Sequence, residues 1–176
     1  MAVDTITSPE AREDTASGLL AALVETQSTA LRAELEKFRH AAAWADLHPV
    51  ESICDAACVP GTQGEVTIAG EGAPLVAEWC IPELAAALGI STESGHRFLG
   101  DAVETRHRLP LIWAAVMAGR VPVWKARRVA QATLLLPRQA AAFRGCPARA
   151  GAAVLLVRAD RADRGGGPVP VRPRRR

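Results

Sequence analysis

Four histidines, four cysteines and no asparagine make up the reactive inventory of this chain, and their spacing limits what they can do together. Cys54 and Cys58 form a C-x3-C pair, with Cys80 and His48 the candidates to complete a zinc site. A structural zinc needs about four ligands in closed tetrahedral geometry, and spacing across a loop does not supply it. Thiols held in a core or a loop explain the same residues, so no metal is expected. His40 with Asp46, or His48 with Glu51, could pair as acid and base. Neither pair has a third group to orient it, which is what turns two titratable side chains into a catalytic constellation. No nucleophile elbow, phosphate loop or dinucleotide fingerprint occurs, and Gly165-Gly166-Gly167 follows no strand. No cofactor and no small-molecule ligand is expected.

Non-covalent chemistry has a clearer signal. The stretch Glu83-Leu84-Ala85-Ala86-Ala87-Leu88-Gly89-Ile90-Ser91, followed by Leu99, has the grammar of a helix-turn-helix. Small residues let two helices approach, Gly89 takes the left-handed turn, Ile90 plugs the corner and Ser91 caps the second helix. In a DNA-binding corner Thr92, Glu93, Ser94, His96 and Arg97 would face the groove. An ordinary αα-corner requires the same residues. The exposed set is also expected to carry Glu93 and Asp101 against a single Arg, and a reader of phosphates normally shows more positive charge. Further cations follow. Arg106, His107 and Arg108 end a helix, where positive charge complements the helix dipole without any ligand. Arg120, Lys125, Arg127 and Arg128 surround Trp124, as a candidate phosphate-contacting face or as an ordinary solvated one.

The elements that must position these residues are helices. Hydrophobic residues make up 49% of the chain and aromatics only 4%, so the core is built mainly from Leu, Ala and Val. That mixture favours helix over sheet. The expected fold is all-α, an irregular multi-helix bundle with a long N-terminal helix and a helix-turn-helix-like corner. The long helix starts near Ser17 and carries Leu20, Leu23, Val24, Leu31, Leu35, Phe38 and Ala42 as an apolar stripe. It ends at Trp44–Pro49, because proline biases the residue before it out of the helix. Such a helix is too long to bury alone, and self-association through helices is plausible. Residues 50–73 hold five Gly or Pro and read as a surface loop. A second helix is expected from Pro74 to Leu88, kinked or broken at Pro82. A third runs from Thr92 to Arg108 with Phe98, Leu99 and Val103 inward. A short fourth follows Leu109-Pro110, a fifth spans Val123–Leu136, and a last piece covers Arg138–Phe143.

Charge divides the chain in two. Residues 144–176 hold nine Arg and two Asp, a net of +7, so the rest carries 12 basic and 17 acidic residues, a net of −5. The basic balance belongs to the tail and is no evidence that the body binds nucleic acid. The polar, acidic N-terminus has no signal-peptide pattern, and no apolar stretch approaches the ~20 residues of a membrane span. A cytoplasmic protein with reduced thiols and no membrane partner is expected. Three regions result: a flexible N-terminus (1–16), a helical domain (17–143) and an Arg/Gly/Pro-rich tail (144–176).

Four runs carry a resemblance to a known family: WADLHP at 44–49, ELAAALG at 83–89, RHRLP at 106–110 and AGRVPVWKARRVAQAT at 118–133. With them, residues 17–143 resemble the 13E12 repeat family of actinobacteria, a helical domain of unknown function that commonly precedes an HNH endonuclease module. The resemblance implies a mostly helical fold and a connection to DNA or mobile elements, and it assigns no catalytic residue to the helical part. An HNH site needs a histidine general base, a further metal-binding His or Asp, and an Asn. The chain has no Asn and no His beyond His107, so no nuclease site and no enzyme activity is expected of it.

The tail admits two readings. Codons for Arg144-Gly145-Cys146-Pro147 can be chosen so that reading one base later gives Val-Asp-Ala-Arg, a natural helical continuation of Phe143. A frameshift or mobile-element junction after Phe143 would also explain the Arg/Gly/Pro/Ala/Val bias of a GC-rich gene read off frame. The alternative is a genuine disordered basic tail that binds nucleic acid non-specifically. For the body the expected function is a non-catalytic, DNA-associated helical module. A helical protein-interaction domain without DNA affinity, or a truncated product without function, are the alternatives.

Overall fold

Thr15 starts the first helix by accepting a hydrogen bond from the Gly18 amide at 3.0 Å through its hydroxyl, which satisfies one of the orphan donors of the first turn. The computed structural model describes residues 15–53 and 64–144. The expectations for Cys54 and Cys58, and for the tail beyond Arg144, lie outside the described residues. Helix α1 spans Ala16–Leu47, a 3-10 turn covers Val50–Ser52, and strands β1 (Glu65–Val66) and β2 (Val76–Ala77) form a small antiparallel pair. Helices α2 (Cys80–Leu88), α3 (Thr92–Arg108), α4 (Pro110–Met117), α5 (Val123–Thr133) and α6 (Arg138–Arg144) follow. The fold is all-α with one short hairpin. Among the described residues no helix is long and apolar enough to cross a membrane.

The core surrounds α3. Phe98, Leu99, Ala102 and Val103 are buried, as the apolar spacing of that helix requires. Phe38 of α1 meets the Phe98 ring edge-on at 5.9 Å and the Trp113 ring at the same distance. Such edge-to-face packing suits the ring quadrupoles. Val123, Ala126, Val129 and Ala130 close the core from α5.

Three expectations are corrected. Residues 50–73 are not a surface loop throughout, because Ile68, Ala69 and Gly70 are buried against the helices. The chain then returns as β2 rather than starting a helix at Pro74, with Val76 and Ala77 buried. Helix α2 begins only at Cys80, so Pro82 lies in its first turn instead of interrupting it. Amides there have no acceptor one turn back, and a proline costs no ladder bond. The first such bond is made by Glu83, from its amide to the Trp79 carbonyl at 3.4 Å.

The α2–α3 corner follows the expected grammar with one exception. Gly89 sits at φ +64° and ψ +32°, the left-handed region that glycine enters without steric cost. Ser91 caps α3 through its hydroxyl, which accepts from the Ser94 amide at 3.2 Å. Ile90, expected to plug the corner, is 40% exposed. The close approach is made instead by Gly95, where an added Cβ would lie 2.7 Å from the Ala85 Cβ. Gly95→Ala is therefore expected to destabilise the domain by about 1–3 kcal/mol through overpacking. Urea unfolding followed by circular dichroism measures this, and an unchanged midpoint would contradict the tight contact.

Candidate nucleic-acid interface

Helices α3 and α5 carry most of the candidate DNA-facing residues, and polar bonds made inside the core set how they lie together. Glu104 and Arg108, one turn apart on α3, are 0% and 1% exposed and ion-paired, with Nη1 to Oε1 at 2.5 Å. The same Glu104 oxygen accepts from the Thr133 hydroxyl at 3.0 Å, while Oε2 accepts from the Gly70 amide at 2.9 Å. Arg108 donates through Nη2 to the Leu136 carbonyl and through Nη1 to that of Thr133 at 3.4 Å. Helix α5 ends at Thr133, three residues before the expected Leu136: Pro137 has no amide to continue the ladder, and the Thr133 carbonyl accepts from the Leu136 amide at 2.9 Å instead. An added Cβ at Gly70 would collide with the Arg108 guanidinium. Arg108 was expected at the helix end as a dipole-complementing cation; it is instead the largest fully buried side chain among the described residues. Its Nε has no acceptor among them.

A second link lies two turns earlier. Asp101, expected on the exposed face, is 6% exposed and accepts from Arg127 Nε at 2.8 Å and from the Gln131 amide at 2.9 Å. Burial pushes its carboxyl pKa up, and the bonds from Arg127 and Gln131 oppose that rise. Arg127 also lies over the Phe98 ring at 5.0 Å. Matched in order, Asp101 with Arg127, Glu104 with Thr133 and Arg108 with Leu136 show that α3 and α5 run in the same direction. Their N-terminal turns therefore open at one end of the body.

The site residues expected from sequence distribute unevenly over that end. Thr92, Ser94 and Arg97 are exposed and His96 is half-buried. Ser94 is engaged by Ser91, and Arg97 is ion-paired with Glu93 one turn before it. A cleft of about 370 Å³ beside them is lined by Glu78, Trp79, Pro82, Thr92, Glu93 and His96. Its two carboxylates oppose phosphate at the start of α3. On the α5 side, Arg120, Lys125 and Arg128 are exposed and form no ion pair among the described residues, and Lys125 lies over the Trp124 ring at 5.4 Å. Arg127 is held by Asp101 and belongs as much to the scaffold as to the surface.

The other candidate acid, base and thiol groups among the described residues lie apart from this end. Among the described residues no three His, Cys, Asp or Glu come close enough to hold a metal ion. His40 lies beside Arg39 and 3.9 Å from Glu36. His48 stacks on Trp44 and pairs through Nδ1 with the Trp44 carbonyl at 2.8 Å. Asp46 binds Arg106 at 2.7 Å and lies 3.8 Å from His107. Burial pushes the Cys80 thiol up to about 11, with Glu83 adding to the rise, so it stays protonated at neutral pH and is a poor nucleophile. Sequence reasoning missed the Glu104–Arg108 pair. Its i,i+4 spacing was visible, but surface helices show the same spacing. Comparison of the chain with family models, with curated proteins and with solved structures returns no match.

Two outcomes follow from this geometry. Arg108→Met or Glu104→Leu leaves one charge buried alone and is expected to cost about 3 kcal/mol or more, whereas the double variant recovers much of the loss. Chemical denaturation of the four proteins measures the coupling, and additive losses would mean the pair is not the link. His107 has its pKa lowered by burial, with Asp46 pulling partly the other way. A group whose native pKa is depressed contributes stability above its unfolded value, and that stability is lost as pH falls through the native pKa. Between about pH 7 and pH 5 the wild-type melting temperature should drop more than that of His107→Gln. Equal drops would remove His107 as a contributor.

Proposed function

We propose that residues 17–143 form a non-catalytic helical module that contacts the phosphate backbone of DNA, the role implied by their resemblance to the 13E12 repeat family. The observation that carries this reading is the shared end of α3 and α5. It puts the start of the corner's second helix and the cations Arg120, Lys125 and Arg128 toward the same end of the body. Helix N-termini and cations at one end make a surface suited to anions. Contact falls mainly on the α5 side, because Glu93 offsets Arg97 and Glu78 adds negative charge near Thr92 and His96. Recognition of base edges by Thr92, Ser94 and His96 is the secondary part of the reading. Catalysis is assigned to no residue of this chain. In a longer HNH-type protein the cutting would fall to a separate module.

Gel-shift titration against salt tests the proposal with wild type and the Arg120→Ala/Lys125→Ala/Arg128→Ala variant. Each lost phosphate contact should lower the log–log salt slope by roughly 0.9, for a total fall of about 3. The titration is run on the whole chain and on residues 1–143, so that any shift caused by the charge of the nine arginines of residues 144–176 is separated from that of the body. A body that gives no shift, or a slope unmoved by the three substitutions, would sink the proposal in favour of a helical protein-interaction domain.

A further inference from the structure

The apolar stripe of α1 is only half used. Phe38, Ala41, Ala42 and Ala45 are buried by the body, while Leu19, Leu20, Leu23, Val24 and Leu31 remain 53%, 64%, 64%, 71% and 42% exposed. Phe38 is level with Phe98 and Asp46 with Arg106, so α1 runs in the direction of α3. Its N-terminal turns therefore project past the end of the body at which α3 begins, and the turns from Val24 onward border the turn before α5. A helical arm of this length without tertiary packing is marginal in water, since most helical stability in proteins comes from burying an amphipathic face. At the turn before α5 the arm borders a groove of about 500 Å³, walled by Val24, Gln27, Leu31 and Leu35 of α1 and by Val116, Val121 and Pro122 of the body.

We propose that a second copy of this chain covers the arm, the two α1 helices pairing antiparallel across a two-fold axis between Val24 and Gln27. The open aliphatic surface is on the order of 450 Å² per copy, which matches the nonpolar fraction of a standard interface burying ~800 Å² per partner. The spacing fits this orientation. Leu20, Val24, Gln27 and Leu31 follow steps of four, three and four. Antiparallel pairing about the axis sets Leu20 opposite the partner's Leu31 and Val24 opposite the partner's Gln27. That is the alternating contact of antiparallel coiled coils. Residues flanking the seam are Ala21, Ser28 and Ala30, small enough for close approach and without charges to repel. The partner's helix start then falls level with Leu35, where its Leu19 and Leu20 can enter the groove beside Val121 and Pro122. Antiparallel helices also set opposite dipole ends together. A parallel pair would leave that groove uncovered.

Sedimentation velocity or light scattering on the whole chain, from about 1 to 100 µM, tests the pairing in the range where modest interfaces of this size associate. Wild type is expected to dimerise, and Val24→Glu to weaken the dimer at least about 10-fold with helicity retained, because Val24 is 71% exposed. Leu20→Glu and Leu31→Lys are each expected to be monomeric alone. Mixed together, or combined in one chain, they restore the dimer, because each glutamate then faces a partner lysine. A monomeric wild type, or a dimer indifferent to Val24→Glu, overturns the proposal. Failure of the charge swap to restore association overturns the antiparallel register. None of these outcomes depends on whether the chain binds DNA.

Discussion

The buried ion pair between Glu104 and Arg108 is the constraint around which the domain is arranged. Two charges removed from water are costly unless most of their remaining donors and acceptors are satisfied, and here all but the Arg108 Nε find a partner among the described residues. That demand brings four pieces of chain to one point. The Gly70 amide binds Oε2, the Thr133 hydroxyl binds Oε1, and the carbonyls of Thr133 and Leu136 accept from the guanidinium. The segment before β2 and the end of α5 are thereby tied onto α3, and the turn into α6 is set. An apolar contact could bury similar area, but it would not specify which carbonyl or amide sits where.

The order of these contacts along α3 also fixes what the surface presents. With Asp101, Glu104 and Arg108 meeting successive turns of α5 and the turn after it, the two helices are aligned in direction and begin at the same end of the body. The acidic partners are as important as the basic ones. Asp101 draws Arg127 toward the core and Glu93 holds Arg97, so an apparently basic set of side chains is partly neutralised within the fold. Arg120, Lys125 and Arg128 remain exposed and form no ion pair among the described residues. Lys125 sits next to an aromatic ring that limits its reach.

Helix α1 divides at Leu35 into a part that completes the core and a part that leaves it. The C-terminal half supplies Phe38 and the small residues that allow α3 to pack closely. The N-terminal half repeats the same kind of apolar stripe, but among the described residues Leu19, Leu20, Leu23 and Val24 stay more than half exposed. The basic end of the body and the unpartnered arm lie on the same side, because α1, α3 and α5 share a direction.

Much of this was legible in the residues. Periodicity placed α1 and α3 almost to the residue, Ser91 and Gly89 marked the corner, and Pro110 opened the helix after it. These signals are local, since caps, turns and apolar periods act on the few residues around them. The hairpin was not legible, because two-residue strands have no period to read and Gly and Pro mark loops equally well. Nor could spacing reveal that Asp101 and Arg108 are buried. An Asp or an Arg on a helix reads as exposed until the partners that offset its desolvation are known, and here those partners lie at Arg127, Gln131, Thr133 and Leu136. The sequence by itself determined which segments are helical and where they turn. Only the tertiary structure decided which charges hold the core and which face water, because the cost of burying a charge depends on groups brought together across more than twenty residues of chain.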